Sequence, residues 1–176
     1  MSKKIVPSFE EVEFEIEKEV WNVYELEDSN HRVTLKMRTI LTKLLRPRFI
    51  ETKTAPPIGV PPHMLGIPET ARREEFQMSF QNIVVVSSCP VELMGPPSQP
   101  LPPSELTKLP MEEIDFTPFN EDWNIYKIPE SGLKLKIKLV VSSVSKAKGA
   151  YDQFGYPIYI VQSTNAVVPV PPKIKK

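Results

Sequence analysis

The sequence predicts a mostly β protein in which two related copies of about four strands each form one sandwich or barrel. Three observations support this fold class: several segments alternate apolar and polar residues, a long motif occurs twice, and helical patterns are short. Proline is abundant, with 20 residues against 6 glycines. Because proline removes a backbone donor and fixes φ, the proline-rich segments are expected to be ordered straps between strands.

The repeat is clearest where EEVEFEIEKEVWNVYEL (10–26) is set over EEIDFTPFNEDWNIYKI (112–128). The offset is 102 residues without a gap, and 7 of the 17 positions are identical. About one identity is expected by chance between unrelated segments of this length. The two tryptophans of the chain, Trp21 and Trp123, occupy the same repeat position. The pattern predicts an internal duplication that gave two pseudo-symmetric copies.

The elements of the first copy follow in order along the chain. EVEFEIE alternates apolar and acidic residues and predicts a strand with an acidic outer face. WNVYELE and RVTLKMRTILTKL flank the turn-forming DSNH, which predicts a β-hairpin. PESG takes the place of that turn in the second copy, where Gly132 can adopt positive φ. A valine-rich strand ends each copy, at NIVVVSS (82–88) and NAVVPVP (165–171).

These assignments place the first copy at 8–104 and the second at 110–172, within one compact structural unit. The first copy contains a proline-rich insertion at 54–69, and a second strap at 89–110 joins the copies. At most one or two short helices are expected, and the candidate segments are 68–76 and 102–109.

Bulk composition narrows the class of protein. Charged residues make up 25% of the 176-residue chain and the formal net charge is zero, so the whole molecule is not an electrostatic nucleic-acid binder. Cys89 is the one cysteine, which favours a reducing compartment. The start of the chain lacks a secretory pattern, and no apolar run is long enough to cross a membrane. We therefore expect a cytoplasmic protein without membrane contact.

Basic residues alternate along the hairpin of the second copy. Lys134, Lys136 and Lys138 share one strand face, and Lys127 is expected on the partner strand beside Trp123. We call these four lysines the lysine row. Lysines interleaved with an aromatic residue can hold single-stranded nucleic acid or a protein partner. The alternative is a solvated face whose charges discourage edge-to-edge aggregation, with Trp123 in the core as is expected of Trp21.

A second candidate surface is the aromatic turn, AYDQFGYPIYI (150–160). Asp152 and Gly155 suit a tight turn, and Tyr151, Phe154 and Tyr156 surround it. These three aromatic residues are candidate interface anchors. The alternative is that they cap one end of the β core.

No motif in the sequence points to a specific chemistry. Glycine-rich phosphate loops and nucleophile elbows are missing, and the two histidines, His31 and His63, do not have metal-ligand spacing. Cys89 precedes a proline without an activating residue nearby in sequence, so a buried structural thiol is expected. We expect no enzyme activity, no cofactor and no metal.

The sequence thus favours a non-enzymatic interaction or assembly scaffold that docks on a partner protein or self-associates. The first alternative is a nucleic-acid-binding or ribonucleoprotein-associated protein that uses the lysine row. The second alternative is an enzyme whose site leaves no signature in the sequence.

Overall fold

The computed structural model describes residues 8–48, of which Arg48 by its backbone alone, and residues 76–173. Nine antiparallel strands in one sheet account for most of these residues, so the prediction of a mostly β protein is confirmed. The proline-rich insertion at 54–69 and, apart from Phe76, the helix expected at 68–76 lie outside the described residues.

Nine strands and two short helical turns are described. The helical turns are the one-turn helix α1 (Pro103–Leu106) and a 3-10 turn at Val91–Leu93, so the helix expected at 102–109 is a single turn. The strands are β1 (Ser8–Glu11), β2 (Glu15–Lys18), β3 (Asn22–Asp28), β4 (His31–Arg48), β5 (Gln77–Ser88), β6 (Met111–Asn120), β7 (Asn124–Lys127), β8 (Lys134–Tyr151) and β9 (Pro157–Val170).

The chain divides into two compact units. The first contains Met1–Phe14 and Leu41–Phe80, and the second contains Glu15–Ile40 and Gln81–Lys176. Both of the repeats expected from the sequence contribute residues to the second unit.

In the first unit, β1 pairs with the last residues of β4, in a register that runs from Ser8 opposite Arg48 to Glu11 opposite Leu45. The Val12 backbone N–H extends this pairing by donating to the Leu44 carbonyl at 2.9 Å. Val12 and Leu44 are buried, as the alternation of the lead-in segment predicts for Val12. The single strand expected over EVEFEIE is interrupted at 12–14, and Ile16 is 58% exposed, so that part of the prediction is wrong.

In the second unit, both predicted hairpins are confirmed. β3 pairs with β4 around a turn in which Ser29 and Asn30 have positive φ, a conformation that Asn tolerates unusually well. β7 pairs with β8 after a turn in which Gly132 has φ of 71°. The turn residues therefore set the register that brings Tyr24 opposite Leu35, and Tyr126 opposite Leu135.

The segment that leads into each hairpin pairs with the other hairpin. β2 lies beside β7, with Glu15 opposite Lys127, and β6 lies beside β3, with Thr117 opposite Glu25. Each ladder has a register irregularity one residue wide, at Glu17 in β2 and at Phe119 in β6. The two hairpins are therefore joined by strands that cross between them.

The alternating residues of these strands form the core of the second unit. One apolar cluster contains Tyr24, Leu26, Val33, Leu35, Met37, Ile114, Leu139, Val144 and Tyr159. Burial of this apolar surface is the main favourable term for folding of the unit.

Two strands lie off the main path of the sheet. β9 pairs with β8 along most of its length, and β5 pairs with β4. Among the strands that the structure describes, neither has a second neighbour, so no described strand pairs with the other edge of β5 or of β9.

Candidate functional site

A carboxylate cluster centred on Glu19 joins the two hairpins. The Tyr126 hydroxyl donates to Glu19 Oε1 at 2.8 Å, and the Arg38 guanidinium pairs with Glu19 Oε2. The same guanidinium lies 5.8 Å from the centre of the Trp21 ring. Trp21 is 38% exposed, so the expectation that it lies in the core is wrong. Its ring covers the cation instead of filling the interior.

A second cluster, with a lysine in place of the arginine, is centred on Glu121. The Tyr24 hydroxyl donates to Glu121 Oε1 at 2.8 Å, and Lys138 Nζ donates to Glu121 Oε2 at 3.1 Å. Lys138 Nζ also lies 5.6 Å from the centre of the Trp123 ring. Burial alone would raise the pKa of Glu121, but the bonds from Tyr24 and Lys138 hold that pKa below its ordinary value.

Two buried asparagine side chains make a matching pair of contacts. The Val20 backbone N–H donates to Asn124 Oδ1 at 2.8 Å, and the Asp122 backbone N–H donates to Asn22 Oδ1 at 3.0 Å. Asn124 Nδ2 also donates to the Thr39 carbonyl at 2.8 Å. The repeated Trp-Asn-x-Tyr motif therefore supplies the contacts by which each hairpin holds the chain that enters the other.

The structure brings the lysine row together. Lys127 lies directly opposite Lys134, and Lys136 lies opposite Ile125, in the register of β7 and β8. Lys138 extends the row to Trp123. The role of these residues in binding stays a prediction, but their placement on one face of the hairpin agrees with the alternation in the sequence.

Acidic side chains accompany the lysine row. Glu17 Oε2 accepts from Lys134 Nζ at 2.8 Å, and Glu121 accepts from Lys138. Glu15 lies opposite Lys127 in the adjacent strand. β2 brings Glu15 and Glu17 to β7, and Glu121 lies in the segment that enters β7, so the positive charge of the row is largely compensated within the chain.

The aromatic turn is built on Asp152. Its Oδ1 atom accepts from the Phe154 backbone N–H at 2.8 Å and from the Tyr156 backbone N–H at 3.0 Å. Gly155 completes the turn with φ of 83°. The Asp-x-x-Gly pattern thus closes the turn and leaves Phe154 at its tip, where the ring is 62% exposed.

The segment before α1 is tied to this turn by backbone hydrogen bonds. The Gly95 N–H donates to the Gly155 carbonyl at 2.9 Å, and the Ser98 N–H donates to the Asp152 carbonyl at 3.0 Å. The Tyr151 ring lies over Gly95, where a β-carbon would not fit. Tyr151 therefore packs against its own chain, and Phe154 is the more available of the two aromatic side chains.

Replacement of Gly155 by alanine is expected to destabilise the second unit by about 2–4 kcal/mol, more than the about 1–2 kcal/mol for a positive φ alone. The added β-carbon would stand 2.5 Å from the Gly95 carbonyl oxygen. Gly149→Ala is the matched control, because Gly149 has φ of 78° with no atom within 4 Å of the same position. Thermal unfolding of both variants measures the difference, and equal losses would show that the contact with Gly95 contributes nothing.

An open groove of about 370 Å³ runs between β5 and the aromatic turn. Its apolar lining includes Val84, Val85, Val86, Phe154, Tyr156 and Ile158. Val84 and Val85 are 42% and 43% exposed, although neighbouring residues of a strand point to opposite faces. Val86 packs against the core cluster, whereas Val84 and Val85 leave apolar surface exposed on both faces of β5.

The pattern NIVVVSS predicts a structural strand and does not by itself indicate that β5 lines an exposed apolar groove. A signal was present, because no charged residue occurs in Gln77–Ser88. Solvent-exposed edge strands are usually protected by charges.

A buried ionic cluster lies beside the groove. The Asp28 carboxylate is fully buried and accepts from Lys146 Nζ at 2.6 Å, from the Tyr159 hydroxyl at 2.8 Å and from Ser29 Oγ at 2.9 Å. Burial alone would raise the pKa of Asp28, but these donors hold it below its ordinary value. The pKa of the Tyr159 hydroxyl is raised, first by burial and then by the bond to Asp28.

Cys89 packs against the core cluster and is partly buried. Burial raises the pKa of its thiol, and the negative charges of Asp28 and Asp152 raise it further. A raised pKa reduces the thiolate fraction, which is the reactive form of the side chain.

Comparison of the chain with protein-family models, curated proteins and solved structures finds no match. Within residues 8–48 and 76–173, no helix is long and apolar enough to cross a membrane. The same residues contain no group of three or more His, Cys, Asp or Glu side chains placed to hold a metal ion.

Proposed function

We propose that the protein is a non-enzymatic interaction or assembly scaffold that docks on a partner protein through the groove between β5 and the aromatic turn. The supporting observation is the groove itself, an apolar surface with three side chains, Val84, Val85 and Phe154, each more than 40% exposed. An apolar surface of this kind on a soluble domain is typical of protein interaction sites. A cytoplasmic location belongs to the proposal, and its support is the single cysteine of the sequence.

The state of the titratable groups also favours binding over chemistry. Asp28, the most buried carboxylate near the groove, is occupied by three donors from its own chain. Glu19 and Glu121 are each held by a tyrosine and a cation. These groups stabilise the fold, and the surface beside them offers apolar contact instead of a general base or a nucleophile.

The proposal is tested by affinity capture of the tagged full chain from cells that naturally contain it. Phe154→Asp is expected to lose at least one retained protein at stoichiometric yield, because a charge is placed in the apolar groove. Phe119→Asp is the matched control, since Phe119 is 72% exposed and does not line the groove. Retention should survive about 1 M salt, where ionic contacts are screened. Equal retention by wild type and Phe154→Asp would contradict the proposal.

We further propose that the scaffold arose by duplication of one β unit, with proline-rich straps joining the copies. The support lies in the registers. Glu15 lies opposite Lys127, and Thr117 lies opposite Glu25. Glu15 and Thr117 are 102 residues apart in the sequence, and so are Glu25 and Lys127. Glu11 faces Leu45, and Glu113 faces Ser145. The two glutamate clusters correspond in the same way, because Glu19 and Glu121 are 102 residues apart, as are Tyr24 and Tyr126.

The second candidate function is nucleic-acid binding through the lysine row. Its support is the register that sets Lys127 beside Lys134 and Lys138 over Trp123. The accompanying carboxylates of Glu17 and Glu121 make it the weaker candidate, because they would repel phosphates. Anisotropy of labelled single-stranded RNA at roughly 50 and 200 mM salt separates the candidates: binding that weakens with salt and disappears in a Lys134/Lys136/Lys138→Glu variant would favour this function.

A further inference from the structure

We propose that β5 forms a two-fold symmetric, antiparallel strand pair with β5 of a second copy of this chain. The inference rests on the proposed scaffold function and names the partner for one part of the same surface. β5 has one described neighbour, β4, so no described strand pairs with the backbone donors and acceptors of its other edge. The occupant of such an edge is an extended strand, because only a strand satisfies the row of alternating groups.

The distribution of charged residues among the strands indicates that another strand covers the edge of β5. Each of the other seven strands contains charged residues, whereas β5 and β9, with 12 and 14 residues, contain none. At the average charged fraction of 25%, these two strands would carry about six charges. A solvated edge strand without charges is prone to pairing with another strand.

The absence of charges also favours a second copy over an unrelated chain. In an antiparallel pair of identical strands, the residues of each strand face residues of the same strand across the two-fold axis. A charged residue at the axis would face its own copy, and such a pair of like charges weakens the association. β5 carries no such charge, and the formal net charge of the whole chain is zero, so two copies approach without long-range repulsion.

The side chains of β5 give the pair an apolar surface to bury. Not one residue of β5 is buried, although the strand contains Phe80, Ile83 and three consecutive valines. Val84 and Val85 point to opposite faces, and both are more than 40% exposed. A strand added along the edge of β5 covers part of both faces at once, which packing on either face would not do.

The test is the molar mass of the full-length protein by sedimentation equilibrium over roughly 1–100 µM, a range that covers micromolar association. The wild type is expected to reach twice the chain mass of 20.1 kDa. Val85→Lys is expected to weaken association at least tenfold, because each copy would bring an unpaired charge into the apolar strand pair. Val168→Lys is the matched control: Val168 is 44% exposed on β9, the other charge-free strand.

A wild-type mass of one chain at every concentration would overturn the inference, as would an open series of larger assemblies, which a two-fold pair cannot form. Equal weakening by Val85→Lys and Val168→Lys would also overturn it. Circular dichroism and thermal unfolding of both variants separate loss of association from loss of fold. If the protein is a monomer but still retains a partner through Phe154, the β5 pairing is contradicted and the proposed docking function is not. If it is a dimer without Phe154-dependent retention, the docking function is contradicted and the β5 pairing is not.

Discussion

Replacement of Asp28 by alanine is expected to destabilise the protein by about 3–5 kcal/mol, because it leaves the ammonium of Lys146 in a buried site without its partner. Asp28 is fully buried and accepts hydrogen bonds from three donors, and the Lys146 side chain is 16% exposed. The lost carboxylate also leaves the buried Tyr159 hydroxyl without its acceptor. Denaturant unfolding monitored by tryptophan fluorescence measures the change.

The control for Asp28 is an ion pair at the surface. Lys18 and Asp122 form a pair in which both side chains are more than 40% exposed, so Asp122→Ala is expected to cost much less stability than Asp28→Ala. Comparable losses of stability for Asp28→Ala and Asp122→Ala would show that the buried contacts of Asp28 with Lys146 and Tyr159 do not stabilise the fold more than a surface ion pair does.

The stability contributed by Asp28 is expected to depend on pH in one direction. Its pKa is lower in the folded protein than in the unfolded chain, where it is about 3.9. The contribution is therefore complete above the unfolded pKa and is lost as the pH falls through the folded pKa. Wild type should lose stability on acidification below about pH 4 more steeply than Asp28→Asn. Parallel curves for the two proteins would contradict this.

Tyr24→Phe and Tyr126→Phe are expected to destabilise the protein by similar amounts, roughly 1.5–3 kcal/mol each. Each variant removes a hydroxyl that donates to a carboxylate at 2.8 Å, Tyr24 to Glu121 and Tyr126 to Glu19. Because each bond joins one hairpin to the chain that enters the other, their loss weakens the crossing strands.

Double-mutant cycles test whether these contacts are the reciprocal pairs that the structure shows. The cycle of Tyr24→Phe with Glu121→Gln should give a coupling energy of about 1 kcal/mol, and so should that of Tyr126→Phe with Glu19→Gln. The crossed cycles, Tyr24 with Glu19 and Tyr126 with Glu121, serve as controls and should give coupling near zero. Crossed coupling as large as the direct coupling would contradict the strand arrangement.

Local patterns predicted the strands and turns because each depends on neighbouring residues. Alternation identified the hairpin strands, and the turn residues Asn30 and Gly132 have the positive φ that their chemistry permits. The face shared by Lys127 and Lys134 followed from the period of two.

The pairing of each lead-in strand with the other hairpin, β2 with β7 and β6 with β3, could not be predicted in the same way. The repeated Trp-Asn-x-Tyr motif is equally compatible with copies that pair within themselves, and the choice depends on contacts about a hundred residues apart. The compensation of the lysine row by Glu17 follows from that exchange, so the sequence analysis overestimated the free charge on this face. The exposure of Trp21 was likewise missed, because its partner Arg38 lies on another strand.

Hydrogen–deuterium exchange of the β5 backbone reports whether this edge is covered in the native assembly. Amides of residues 81–88 would be compared in the isolated chain at low concentration and in the assembly recovered from cells. We expect slower exchange along β5 and at the aromatic turn in the assembly, with exchange at Phe119 unchanged. Equal exchange of β5 in both states would contradict the claim that this edge and its groove are the docking surface.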